Sequence, residues 1–98
     1  MEPILTAEGT LVRVPGMLRD CTGGATEVRV PGATLGAALA ALADTYPLLR
    51  VHVWDEAGAL RPHVLIFYNG ISTRRLPDLA RPLAPGDQLR IVQAVSGG

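Results

Sequence analysis

The chain predicts an α+β roll, a mixed sheet with one main helix packed across it. Three features point there. Short stretches alternate apolar and polar residues with the period of strands, and one stretch repeats its leucines at helical spacing. That helix also lies between the first strands and the last, as the crossover of a parallel pairing must.

Thr10–Val14 (TLVRV) alternates, with Thr10, Val12 and Val14 on the inward face. Pro15-Gly16 breaks it, and Asp20–Gly24 (DCTGG) is dense in turn residues. Thr26–Val30 (TEVRV) alternates again, so the pair reads as a β-hairpin with a long loop. Turn geometry accounts for Gly23-Gly24, because glycine accepts the positive φ of a tight reversal. Thr34 offers an N-cap hydroxyl to a helix from Leu35 to about Tyr46. Its apolar stripe is Leu35, Ala38, Leu39, Leu42 and Tyr46, and Pro47 stops it.

Val51–Trp54 (VHVW) reads as a short strand or an extended crossing segment, and Asp55–Gly58 as a turn. Val64–Tyr68 (VLIFY) is the strongest strand, followed by the hairpin turn Asn69-Gly70. Ile71–Leu76 is polar enough for an edge strand, and Pro77–Ala80 suggests one helical turn. Pro85-Gly86-Asp87 fits a type II turn before the last strand, Gln88–Gln93, whose Leu89 and Ile91 point inward. The natural closure is a β-grasp sheet of four to five strands with Gln88–Gln93 central. Residues 1–98 are expected to form one domain, with 94–98 a flexible tail.

Composition narrows the function. The 98 residues are 48% hydrophobic and 18% charged, as in a globular chain. Nine basic residues balance nine acidic ones, which argues against a nucleic-acid partner. All nine are Arg, so no side-chain amine is available for chain-forming isopeptide bonds. Cys21 is alone and reads as an incidental thiol, while His52 and His63 lack ligand spacing, so no metal site is expected. Met1–Thr10 lacks the pattern of a signal peptide, and Ala37–Ala43 is too short to span a bilayer. A soluble, cytoplasmic protein without a membrane partner is expected.

The segment Pro82–Gly98, PLAPGDQLRIVQAVSGG, resembles the C-terminus of the ubiquitin-like sulfur carrier proteins. That family includes the molybdopterin-synthase small subunit, the thiamin sulfur carrier and the cysteine-biosynthesis carrier. The matching features are Pro82-Leu83, the Gly86-Asp87 turn, the strand Leu89–Val92 and the tail Val95-Ser96-Gly97-Gly98. A looser likeness runs from about Leu11 and takes in Ile66–Asn69 and Ala33–Leu39. The insert Trp54–Pro62 is most like the cysteine-pathway branch.

The resemblance implies that the Gly98 carboxylate is adenylated by an ATP-dependent activating enzyme, an adenylyltransferase of the ubiquitin-activating type. A sulfur nucleophile then displaces AMP, and the thiocarboxylate is delivered to a sulfur-accepting synthase subunit. The chain would be a co-substrate rather than an enzyme, with no bound cofactor of its own and ATP used by its partner. Gly98 carries the chemistry, Gly97 gives clearance in a narrow channel, and Ala94, Val95 and Ser96 form the threaded stem. From Gln93 to Gly98 an extended chain reaches roughly 20 Å.

Docking residues follow from alternation. With Ile66 and Tyr68 inward, Leu65 and Phe67 face outward, and Leu11 shares that face. Such residues form a partner surface if they cluster; otherwise Phe67 is core covered by Val51–Trp54. Arg13, Arg29 and Arg90 are a solvated face or a docking rim for an acidic partner. Two other functions compete with the carrier: a modifier conjugated to lysines through Gly98, and a plain β-grasp interaction domain. No nucleophile–base pair marks an independent enzyme.

Overall fold

A computed structural model describes residues 9–76 and 78–93. The expected tail, 94–98, lies outside the described residues, as do residues 1–8 and Pro77. The first strand, β1 (Thr10–Arg13), pairs antiparallel with β2 (Glu27–Val30). Helix α1 (Leu35–Thr45) follows, then a shorter helix α2 (Pro47–Val53). The hairpin of β3 (Val64–Tyr68) and β4 (Ile71–Ser72) comes next, and β5 (Gln88–Gln93) closes the sheet.

Strand order is β2-β1-β5-β3-β4, with β5 central, parallel to β1 and antiparallel to β3. This is the β-grasp arrangement. The helices cover one face of the sheet. Leu35, Ala38 and Leu42 of α1 and Leu49 and Val53 of α2 are buried with Val12, Val28, Val30, Val64, Ile66, Leu89 and Ile91. Burying each of the larger side chains contributes about 1.5–3 kcal/mol.

Local chemistry sets the joints. The Thr34 hydroxyl accepts from the Ala37 N–H at 3.1 Å and caps α1. At Gly32, φ is +144°, and a Cβ would lie 2.6 Å from the Ala38 nitrogen, so only glycine allows the close approach of strand and helix. Asn69 and Gly70 both take positive φ, at 49° and 88°, as the hairpin between β3 and β4 requires. The Asp87 N–H donates to the Ala84 carbonyl at 3.0 Å across Pro85 and Gly86, whose φ is 90°, giving the expected type II turn.

Three expectations are corrected. Val51–Trp54 is neither strand nor crossing segment, because Pro47–Val53 is helical. Pro47 stops α1 and also starts α2, since a proline at the first helical position loses no hydrogen bond. Leu49 and Val53, one helical turn apart, are buried, and this tertiary fit overrides the β-branched look of VHV. Only Trp54 is extended, bridging Leu60.

The loop of the first hairpin contains a 3-10 helix, Gly16–Thr22, that buries Leu18 and Thr22. Gly23 ends it in the left-handed region at φ 74°, and Gly24 follows at 98°, as their turn role demands. The edge strand after Gly70 pairs only at Ile71–Ser72; Thr73–Arg75 is a 3-10 turn because the Arg74 guanidinium reaches back to the Arg61 and Val64 carbonyls. The expected helical turn Pro77–Ala80 starts outside the described residues; Leu79 and Ala80 lie in a turn, where the Ala80 N–H donates to the Asp78 carboxylate at 2.8 Å.

Candidate functional site

The face of the sheet away from the helices has no covering element among the described residues. Alternation puts Leu11 and Arg13 of β1, Leu65 and Phe67 of β3, and Arg90 and Val92 of β5 on it. Register fixes who meets whom. One row runs across all five strands as Glu27, Arg13, Arg90, Phe67, Ser72. In the next row Val92 faces Leu65, at the end of β5 from which residue 94 continues.

Leu65, Phe67 and Arg90 are thus brought together, while Leu11, one row from Arg90, does not line the depression that Phe67 and Arg90 share. Leu11 is paired with Arg29 and Gln88, two rows from Leu65, and lines a separate hollow with Leu83 and Pro85. The main depression on this face, of about 600 Å³, is lined by Arg13, Phe67, Asn69, Gln88, Arg90 and Val92. Phe67 is half-buried and Val92 is 37% exposed, so the covered-core alternative for Phe67 does not describe its surroundings. Val92 adds to Leu65 and Phe67 on this face, since the alternation that turns Leu89 and Ile91 inward also turns Val92 outward.

Charge on the face is uneven. The Arg13 guanidinium donates to the Glu27 carboxylate at 2.8 Å, with both side chains about half exposed. Arg90 is exposed and makes no ion pair or hydrogen bond with the described residues.

One edge of the depression is fixed by a polar knot. The Asp87 carboxylate accepts from Tyr68 Oη at 2.7 Å, Asn69 Nδ2 at 3.0 Å and the Ala84 N–H at 2.8 Å. Asn69 Oδ1 in turn accepts from the Gln88 N–H at 2.9 Å. The Arg81 guanidinium sits 5.1 Å above the Tyr68 ring. The Ala84 N–H, then Asn69 and Tyr68, hold Asp87 below the ordinary carboxylate range. The hydrogen bond to Asp87, then burial, push the Tyr68 hydroxyl up. The Gly-Asp turn and the strand-Asn pattern are therefore one structural unit: they lock the start of β5 to the β3–β4 hairpin.

Elsewhere, burial and then Asp20 push the half-buried Cys21 thiol up, away from the reactive thiolate. Among the described residues no cluster of three His, Cys, Asp or Glu has a metal-binding arrangement. Nor is any described helix long and apolar enough to cross a membrane.

The model of the ThiS family matches residues 12–98. The chain belongs to the ThiS family. The match takes in Arg13, Leu65, Phe67, Arg90, Val92 and the Gly97-Gly98 pair, while Leu11 falls just before it. Sulfur carrier protein CysO of Mycobacterium tuberculosis is 36% identical over 89 residues, covering 89% of this chain and 96% of that protein. A crystal structure of M. tuberculosis CysO matches with a TM-score of 0.75 at 34% identity, over 89% of this chain and all of that one. A chain in the crystal structure of the Amycolatopsis orientalis BexX/CysO complex gives a TM-score of 0.77 at 27% identity, over 92% of this chain and 100% of that one. SAMP1 from Haloferax volcanii gives 0.72 at 32%, over 91% and 98%. ThiS-family membership and these neighbours agree with the β-grasp topology.

Proposed function

We propose that this ThiS-family chain is a sulfur carrier that holds sulfur as a thiocarboxylate on Gly98. The observation that carries the reading is its 36% identity, over nearly the full length of both proteins, to the sulfur carrier CysO. A carboxylate is a poor electrophile, since its charge repels nucleophiles and oxide is a poor leaving group. An activating enzyme would join the Gly98 carboxylate to the α-phosphate of ATP and release pyrophosphate. A hydrosulfide sulfur would then attack the acyl carbon and expel AMP, leaving C–S in place of C–O. The sulfur goes on to a biosynthetic acceptor, and the likeness to CysO favours cysteine formation.

In this reading the fold supplies a rigid body, and the central position of β5 makes it a firm root for residues 94–98. Gly97 and Gly98 pass a narrow channel, on a stem of Ala94, Val95 and Ser96. Leu65, Phe67, Arg90 and Val92 form the docking face beside that root. Complex formation in the BexX/CysO structure supports a protein partner for a protein of this kind.

Similarity to SAMP1, a small archaeal modifier protein, favours a second reading, conjugation of Gly98 to lysines of target proteins. Adenylation is common to both. The test is pyrophosphate release from ATP by the activating enzyme with the full chain and with Gly98 deleted. Release only with the full chain is expected; equal release from both would remove Gly98 from the chemistry. Products then separate the readings, with a thiocarboxylate for the carrier and higher-mass conjugates for the modifier.

A further inference from the structure

Arg13 and Arg90 face each other across the parallel pair β1–β5, in the middle of the face that no described element covers. Adjacent strands lie about 4.8 Å apart, so two guanidinium stems stand side by side, an arrangement that costs stability unless an anion intervenes. The row offers one carboxylate for the two. Glu27, on the far side of Arg13, binds Arg13 at 2.8 Å and leaves Arg90 without a partner among the described residues.

On its other flank Arg90 faces Phe67, and Val92 with Leu65 forms the next row. A protein that covers these apolar side chains also removes the Arg90 guanidinium from water. Burying an unpaired charge costs far more than the apolar contact returns, so an occupant without an acid would be rejected. An occupant with a carboxylate at this point is accepted, because it pairs Arg90 and relieves the repulsion from Arg13.

We propose that the open face takes a partner surface whose carboxylate enters between Arg13 and Arg90 while its apolar side chains cover Leu65, Phe67 and Val92. Given the carrier reading, on which this identification of the occupant rests, that partner is the activating enzyme. Arg90 is then a specificity residue that reads an acid and touches no reacting atom. Glu27 keeps Arg13 oriented in the row.

The test uses the full chain and its own activating enzyme, isolated by ATP-dependent adenylation of the purified protein. Two variants are compared with the wild type. Arg90→Met keeps the aliphatic bulk and drops the charge. Arg90→Glu sets a carboxylate beside Arg13 and is expected to fold at least as well, so unfolding cannot explain its defect. The expected result is a KM for the chain raised roughly tenfold or more in both, largest in Arg90→Glu, with kcat little changed. Wild-type KM should rise with salt, and the Arg90→Met value should rise less.

A KM for Arg90→Met equal to or below wild type would overturn the inference, since a purely apolar dock gains from losing the charge. The carrier reading would survive that result. If no enzyme adenylates the wild-type chain, the carrier reading fails and the assignment of this occupant falls with it.

Discussion

The two faces of the sheet are written by the same strands, one residue apart. On β3, Val64, Ile66 and Tyr68 turn to the helices and are buried, while Leu65 and Phe67 turn the other way and stay half-covered. On β5, Leu89 and Ile91 are buried, and Arg90 and Val92 are exposed. The helix side is finished: its apolar residues meet apolar partners from α1, α2 and the 3-10 helix. On the other side apolar side chains sit next to a guanidinium that has no partner among the described residues, a mixture that is costly to bury and that no described element covers. Stability resides on the first face; recognition is what we propose for the second.

Substitutions on neighbouring residues can break that division. Ile66→Ala, on the covered face, should cost about 2–5 kcal/mol, because a fully packed site cannot collapse around the cavity. Urea or thermal unfolding measures this, and a loss near zero would mean the helix face is not the core. Asp87→Ala removes the acceptor that ties Tyr68, Asn69 and Ala84 together and should cost about 1–3 kcal/mol.

The same knot predicts the pH response. Asp87 has a lowered pKa in the fold, so its contribution is complete above the ordinary carboxylate value of about 3.9 and is lost as pH falls through the folded one. Tyr68 has a raised pKa, so its contribution holds below about 10 and is lost as pH rises through the folded value. Unfolding curves of wild type and Asp87→Ala should therefore converge in acid; a constant gap down to low pH would show that the carboxylate charge is not what stabilises.

Gly23→Ala puts a side chain into open space but at φ 74°, so strain alone should cost about 1 kcal/mol. Phe67→Ala should cost the least stability, under about 1 kcal/mol, yet weaken docking to the activating enzyme by tenfold or more. A large stability loss with unchanged docking would place Phe67 on the wrong side of the division.

Much of this was legible in the sequence, and the exceptions have physical reasons. Strict alternation in TLVRV, VLIFY and QLRIVQ reports which side of a strand is buried, so the central β5 and the outward Leu65, Phe67 and Arg90 could be read directly. Alternation says nothing about lateral position, so it does not show that Leu11 sits two rows from Leu65 and lines a different hollow. The α2 helix was hidden because Val51-His52-Val53 alternates over three residues, too few to separate a strand from the end of a helix whose other buried residue is Leu49. The 3-10 helix in the first hairpin was hidden because only Leu18 and Thr22 of its seven residues are buried. For the tail the chemistry of Gly98 came from likeness to a family, since residues 94–98 carry no pattern that packing could explain.

The most direct test of the carrier claim is the intact mass of the protein after incubation with ATP, its activating enzyme and a sulfur source. Exchange of one oxygen for sulfur, localised to Gly98 by fragmentation, is the predicted result. An unchanged mass, with an enzyme that demonstrably forms the adenylate, would contradict it.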